Sequence, residues 1–168
     1  MKDSEQHVGV FFLRPMTDYT REHLGQVRLE AMLAEMEVTE AELEDPSNWV
    51  SLSFIEHFSE LLVREHDDPA LFDHCGRRAF DQRYMGMLRP IIRAFGSPAF
   101  AYDAMCKSLP RFNKVGKIKV TESSPGVRVM EYRTAHGAPA EKGPHICAAR
   151  LGQMAAIPTL FDLPPATV

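Results

Sequence analysis

The sequence lacks the patterns that mark membrane, secreted and nucleic-acid-binding proteins. None of its apolar runs approaches the roughly 18–20 residues of a membrane-spanning helix. Residues 1–7 are polar and acidic, unlike a signal peptide. No long basic run is present and the net charge is −4, which argues against a nucleic-acid surface. The three cysteines lie far apart, which is not the pattern of a disulfide framework. We therefore expect a cytoplasmic protein with reduced thiols and no direct contact with nucleic acid or membrane.

The length and composition are those of one ordinary globular domain. The chain has 168 residues, of which 45% are apolar and 25% are charged. These fractions are close to the average of folded soluble proteins, so a disordered or fibrous chain is excluded. We expect a single domain over residues 1–168, and we expect it to be the N-terminal part of a longer signalling protein.

The pattern over residues 18–36 predicts one helix with two apolar stripes. One stripe consists of Leu24, Val27 and Ala31, and the other of Leu29, Met32, Leu33 and Met36. Two stripes indicate a helix that is covered on more than one side. We expect this helix to form the surface of a homodimer.

Further helix starts are predicted by capping residues and by proline. The four start signals are Thr39 with Glu42, Ser53 with Glu56, Asp68-Pro69 and Ser97-Pro98. The helix after Asp68 is expected to end near Gly76. Pro90 predicts a kink or a break between two helices, and Gly96 a stop.

After Pro110 the apolar period changes from about 3.6 to 2. Residues 117–121 and 127–132 alternate around the turn Ser123–Gly126, which predicts an antiparallel hairpin with one buried face. Residues 136–142 form a predicted loop. A helix from Pro144 then displays Cys147, Leu151 and Met154 on one face and is expected to cover the hairpin. The fold class is therefore α+β: a helical N-terminal two-thirds, an antiparallel hairpin or small sheet, and a C-terminal helix.

No residue pattern points to catalysis, because nucleophile-elbow, dinucleotide-binding and phosphate-loop motifs are all missing from the sequence. We therefore expect a protein that is not an enzyme. A complete zinc motif is missing too, although His74-Cys75 and His145 with Cys147 offer single ligands. Because haem needs at most one or two axial ligands, His74 and His145 are candidate haem ligands.

Aromatic and methionine side chains are the best candidates for a small-molecule site. Methionine is flexible and polarizable, so such residues can line an adaptable apolar cavity. The six candidates for binding an apolar or aromatic ligand are Trp49, Phe58, Phe95, Tyr102, Met105 and Tyr132. The alternative for each of them is an ordinary place in the hydrophobic core.

Three blocks of the chain resemble sensory domains related to the 4-vinyl reductase domain, a group that includes haem–nitric-oxide-binding domains and subunits of a Golgi transport complex. The blocks are Trp49–Leu52 before a helix, Arg111–Gly116 before the hairpin, and Cys147 to Pro165, with glycine five residues after the cysteine. The N-terminal half also resembles the ligand-binding domains of arabinose-operon-type transcription activators.

These resemblances imply a sensory input domain in a bacterial signal-transduction protein. Such a domain is joined to an output domain such as a histidine kinase, a diguanylate cyclase or a DNA-binding module. In phenol-sensing members the cysteine that matches Cys147 is the first of four zinc ligands, and the others follow in a closing β segment. The sequence ends at Val168, about where that segment is expected to begin, so zinc is not expected.

Three functions therefore stay open at this point. The first is a cytoplasmic homodimeric sensor of a small apolar or aromatic molecule, which shifts the balance between two dimer arrangements. The second is a haem-based gas or redox sensor with a histidine ligand. The third is an interaction module that binds no ligand.

Overall fold

The computed structural model describes residues 6–168, and within them it describes Leu88 and Phe95 by their backbone only. The α+β prediction is confirmed. The strands are Val8–Gly9 (β1), Trp49–Val50 (β2), Gly116–Ser124 (β3) and Val127–Thr134 (β4). The helices are Arg14–Leu24 (α1), Gln26–Glu35 (α2), Glu40–Glu44 (α3), Leu52–Glu65 (α4), Leu71–Arg78 (α5), Gln82–Met85 (α6), Leu88–Phe95 (α7), Pro98–Ser108 (α8) and His145–Ala156 (α9).

The single helix predicted over residues 18–36 is wrong, because the chain breaks at Gly25. This glycine has a φ of 83°, a left-handed conformation that favours glycine, and it separates α1 from α2. The break divides the first stripe, because Leu24 ends α1 whereas Val27 and Ala31 lie on α2. Leu29, Met32 and Leu33 are buried, whereas Val27 on the other face of α2 is 82% exposed.

Of the other predicted helix starts, those at Thr39 and Ser97 are confirmed and two need correction. The Thr39 side chain accepts from the Glu42 amide in a complete capping box. For α4 the capping residue is Ser51 and not Ser53, because the Ser51 hydroxyl accepts from the Phe54 amide at 3.1 Å. Asp68 lies before α5 and holds the Ala70 amide at 2.9 Å, so the helix begins only at Leu71.

The region around Pro90 contains the predicted break, but the break lies at Gly86 and not at the proline. Gly86 has a φ of 50° and ends α6. Pro90 then lies in the first turn of α7, where its missing N–H costs no helical hydrogen bond. Gly96 ends α7 as predicted, and Ser97 caps α8 through the Phe100 amide.

The predicted hairpin is confirmed as β3 paired antiparallel to β4. Ile118 faces Tyr132 and Val120 faces Met130, with an irregularity between Val120 and Glu122. These four residues form a half-buried face, while Val127 and Val129 near the turn are exposed. The sheet made by β1 and β2 is shorter and pairs Val8 with Val50 and Gly9 with Trp49.

The C-terminal helix α9 packs mainly on α5, and the two helices touch backbone to backbone. A Cβ atom added to Gly152 would lie 2.4 Å from the Asp73 carbonyl oxygen, and one added to Gly76 would lie 2.0 Å from that of Ala149. The predicted stripe on α9 is therefore wrong in part. Met154 is buried, but Leu151 and Cys147 are exposed, because small residues carry the contact with α5.

The part of the chain that the structure describes forms two hydrophobic clusters. The larger combines buried residues of α1, α2, α4 and α5 around Phe58 and extends to Val115. The smaller contains Tyr102, Met154 and Ile157, with Met130 of the hairpin packed against it. The prediction that α9 covers the hairpin needs correction, because α9 packs mainly on α5 and meets the hairpin where Arg150 lies over the Tyr132 ring. Within residues 6–168, the helices are too short or too polar to cross a membrane.

Candidate functional site

A cleft of about 210 Å³ lies between the middle of α4 and the segment that enters α9. Glu56, Ser59 and Glu60 line it on the α4 side. Their i, i+3 and i+4 spacing places them on one face of that helix. Lys142 and His145 lie on the opposite side. A hydrogen bond of 2.7 Å from the Lys142 amide to Glu56 Oε1 joins the two sides.

Ser59 is the unusual residue of this cleft. It is only 2% exposed, and its hydroxyl makes no hydrogen bond to any part of the chain that the structure describes. Buried polar groups nearly always have a hydrogen-bond partner, because a buried group without one costs about 1–3 kcal/mol of stability. An unmet hydroxyl in the wall of a cleft therefore suggests a place where a ligand binds.

A partly buried cluster of Tyr132, Glu141 and Arg150 anchors the far side of the cleft. Arg150 Nη2 and Nη1 lie 2.7 and 3.2 Å from Glu141 Oε1 and Oε2, and both side chains are 14% exposed. The guanidinium lies 3.7 Å from the centroid of the Tyr132 ring, whose hydroxyl donates to Glu141 at 2.5 Å. The cluster ties β4, the loop before α9 and α9 itself together, and it holds Lys142 beside the cleft.

His145 is the predicted site residue that lies in this cleft. Its ring stacks on Phe72 of α5, with centroids 4.7 Å apart, which fixes the first turn of α9 against the larger hydrophobic cluster. Cys147, two residues further along, is exposed. Among the described residues, no three His, Cys, Asp or Glu side chains are grouped so that they could hold a metal ion.

The six predicted ligand-binding residues do not come together. Phe58 is fully buried in the larger cluster, whereas Tyr102 and Met105 belong to the smaller one, where the Tyr102 hydroxyl donates to the Met154 carbonyl at 2.8 Å. Trp49 lies in the short sheet, with Lys114 Nζ 4.4 Å from its ring centroid. Tyr132 is held by Arg150. The Phe95 side chain lies outside the described residues.

His74, the other candidate haem ligand, belongs to a polar cluster that joins α1 to α5. Asp68 Oδ2 accepts from the Tyr19 hydroxyl at 2.5 Å and lies 3.1 Å from His74 Nδ1. These contacts lower the pKa of Asp68. The ring of His23 stacks on Tyr19 at 3.9 Å. Burial, with a smaller contribution from His23, lowers the pKa of His66 beside them. Haem binding by His74 or His145 stays a prediction.

All four tyrosines are expected to resist ionisation. Burial is the largest cause in each case: it raises the pKa of Tyr19 and of Tyr132 to about 12, and it also raises the pKa of Tyr84 and Tyr102. Because the folded pKa lies above the ordinary 10.0, the stability from the neutral phenols is complete below pH 10.0 and is lost as the pH rises through about 12. Ultraviolet titration should therefore show little phenolate until the chain unfolds, and one tyrosine ionising near pH 10.0 in the folded protein would contradict this.

The sequence reading missed most of the cleft. The sequence pattern places Glu56 in a capping box, and it predicts no role for Ser59 or Glu60. Their common helical face can be predicted from the i, i+3 and i+4 spacing, but it does not stand out in a helix that also carries Ser53, His57, Arg64 and Glu65. Lys142 had no comparable signal, since only the folded chain brings its loop to α4.

A comparison with protein-family models, with curated proteins and with solved structures finds no match to this chain.

Proposed function

We propose that the chain is a sensory input domain of a bacterial signal-transduction protein. In this proposal two copies associate in the cytoplasm, and a small molecule bound to the domain favours one of two arrangements of the dimer. The role is regulatory and includes no catalysis or contact with nucleic acid or membrane. The observation that carries the proposal is the second apolar face of α2.

This face is exposed although the opposite face of the same helix is buried. Val27 is 82% exposed, and Ala31, one turn further along α2, is exposed as well. Leu24 is also exposed, at the end of α1 on the other side of the Gly25 break. Single exposed apolar residues are ordinary, but several close together in the chain favour a surface that another chain covers.

The surface beside these residues favours a second copy as the partner. A depression of about 500 Å³ on the same side is lined by Leu33, Ala34 and Val38 together with Glu30, Glu37, Thr39 and Glu40. A projecting valine and a hollow with apolar side chains on one surface can be self-complementary, because in a two-fold dimer each copy offers its projection to the hollow of the other.

Sedimentation of the wild-type protein and of the Val27→Asp variant tests the dimer. Burial of one valine contributes about 1.5 kcal/mol, and a two-fold interface loses it twice, so the variant should raise the dimer Kd about 100-fold. Val127→Asp, at an exposed valine beside the hairpin turn, is the matched control and should leave association unchanged. A wild-type protein that stays monomeric at high concentration would contradict the dimer.

A ligand-free interaction module is a second candidate. It is favoured by the burial of Phe58 and Tyr102, because residues with ordinary places in the core are not available to an aromatic ligand. This candidate shares the α2 surface with the first and differs from it only in binding no small molecule. A titration with a small-molecule ligand therefore separates the two.

A further inference from the structure

The cleft between α4 and the entry to α9 has two walls of different hydrogen-bonding character. The α4 wall carries the carboxylates of Glu56 and Glu60 and the hydroxyl of Ser59. The carboxylates accept hydrogen bonds, and the hydroxyl can also accept. The opposite wall carries Lys142 and His145, whose nitrogen atoms can donate. A ligand that fits both walls therefore bears a donor group at one end and an acceptor group at the other.

The first turn of α9 adds further hydrogen-bond donors to the wall that carries Lys142 and His145. His145 and Ile146 line the cleft, and Pro144, which precedes the helix, provides no side-chain cap for the first amides. The free N–H groups at a helix N-terminus carry partial positive charge and favour a carboxylate or another anion. The same cleft is lined by a second feature, which belongs to α4.

That second feature is the hydroxyl of Ser59, which is buried and makes no hydrogen bond within the described residues. A protonated nitrogen on a ligand would donate to this hydroxyl and to the neighbouring Glu60. Ser59 thus distinguishes the cleft from an ordinary gap between surface side chains, because a ligand group placed beside it would give this hydroxyl the partner that it lacks within the described residues.

The volume limits the ligand to a compact molecule. The cleft measures about 210 Å³. Pockets for drug-sized ligands begin at roughly 300 Å³. A polar and charged lining also makes this cleft a poor place for a purely apolar ring.

We propose that this cleft binds a small zwitterion of the amino-acid class, with the ammonium group at Ser59 and Glu60 and the carboxylate at Lys142 and the first turn of α9. The inference deepens the proposed sensory function and rests on it, since the zwitterion is then the signal that the dimer reports. Because the site spans α4 and α9, an occupied cleft would hold these two helices together.

Calorimetry with three molecules of one shape tests the ligand class. L-alanine carries both charges, isopropylamine carries only the ammonium and isobutyrate carries only the carboxylate. L-alanine should bind to the wild-type protein at least about tenfold more tightly than either of the others, because each of those leaves one charged wall unpaired. Equal binding of isopropylamine and L-alanine, or no binding of L-alanine at millimolar concentration, would overturn the proposal.

The Ser59→Ala variant is expected to have opposite effects on two quantities, the Tm without ligand and the affinity for L-alanine. Without ligand, its Tm should rise by a few degrees, because the variant removes a buried group that has no partner. Its affinity for L-alanine should fall about fivefold to tenfold, because the ammonium loses an acceptor. Ser123→Ala in the exposed hairpin is the matched control and should change neither quantity. A Ser59→Ala variant that binds L-alanine as tightly as the wild type would contradict the assignment.

The variants Glu60→Gln and Lys142→Met test the two walls of the cleft one at a time. Glu60→Gln should weaken L-alanine and isopropylamine but not isobutyrate, and Lys142→Met should weaken L-alanine and isobutyrate but not isopropylamine. The same titration on Val27→Asp separates this inference from the dimer. Binding of L-alanine by a monomeric variant supports the site on its own, whereas dimerisation of the wild type without L-alanine binding would overturn only the ligand.

Discussion

Replacing Gly152 by alanine is expected to destabilise the protein by about 2 kcal/mol or more, a typical cost of overpacking a tight contact. Glycine to alanine inside a helix is otherwise stabilising by about 1 kcal/mol. At this position the new Cβ would lie 2.4 Å from the Asp73 carbonyl oxygen and 3.1 Å from the Arg77 amide nitrogen. Both are backbone atoms of α5, so the contact is relieved only when the two helices separate.

Urea unfolding of Gly152→Ala and Leu151→Ala measures the effect. Leu151 is exposed on the same helix, so its replacement should change the free energy of unfolding by less than about 0.5 kcal/mol. Gly76→Ala should resemble Gly152→Ala, because its Cβ would lie 2.0 Å from the Ala149 oxygen. The variant with both Gly76→Ala and Gly152→Ala should lose less free energy of unfolding than the sum of the two single losses, since one separation of the helices relieves both clashes. A Gly152→Ala variant more stable than the wild type would contradict the backbone contact.

Replacing Arg150 by leucine is expected to cost about 3 kcal/mol, because it leaves the carboxylate of Glu141 with little solvent and no positive partner. The Tyr132 hydroxyl still donates to Glu141 but does not neutralise it. Since the three side chains join the hairpin to α9, the loss should concentrate there. We expect hydrogen exchange of the β4 amides to accelerate, and binding of L-alanine to weaken, because Lys142 follows Glu141 directly in the chain.

The control for this experiment is Arg133→Leu. Arg133 lies on the same hairpin and pairs with Glu131 at 2.7 Å, but its side chain is 76% exposed. Exposed pairs contribute little, so the variant should stay within about 1 kcal/mol of the wild type. Adding Glu141→Met to Arg150→Leu should restore much of the stability, since an apolar pair can replace a buried ion pair. A single Arg150→Leu variant as stable as the wild type would contradict the structural role of the pair.

The site shows where sequence reading succeeded and where it could not. His145, which the sequence predicts as a site residue, lies in the cleft, and its role as a haem ligand stays a prediction. The six proposed ligand residues were chosen by type, and residue type does not distinguish a cavity wall from a core. Phe58 and Tyr102 satisfy both descriptions equally well until their neighbours are known. The unmet hydroxyl of Ser59 is a property of its surroundings, and no local sequence pattern reveals it.

The sequence by itself determined the local elements of this protein. The alternation of residues 117–132 with Ser-Pro-Gly between its two runs specifies a hairpin, and Thr39 with Glu42 specifies a helix start, because both depend on neighbours a few residues apart. Only the tertiary structure decided which face each element buries. Val27 and Leu29 are both large apolar residues of the same helix, yet the first is surface and the second is core. On α9, glycine and alanine form the buried contact in place of leucine, because helices that touch along their backbones leave no room for large side chains.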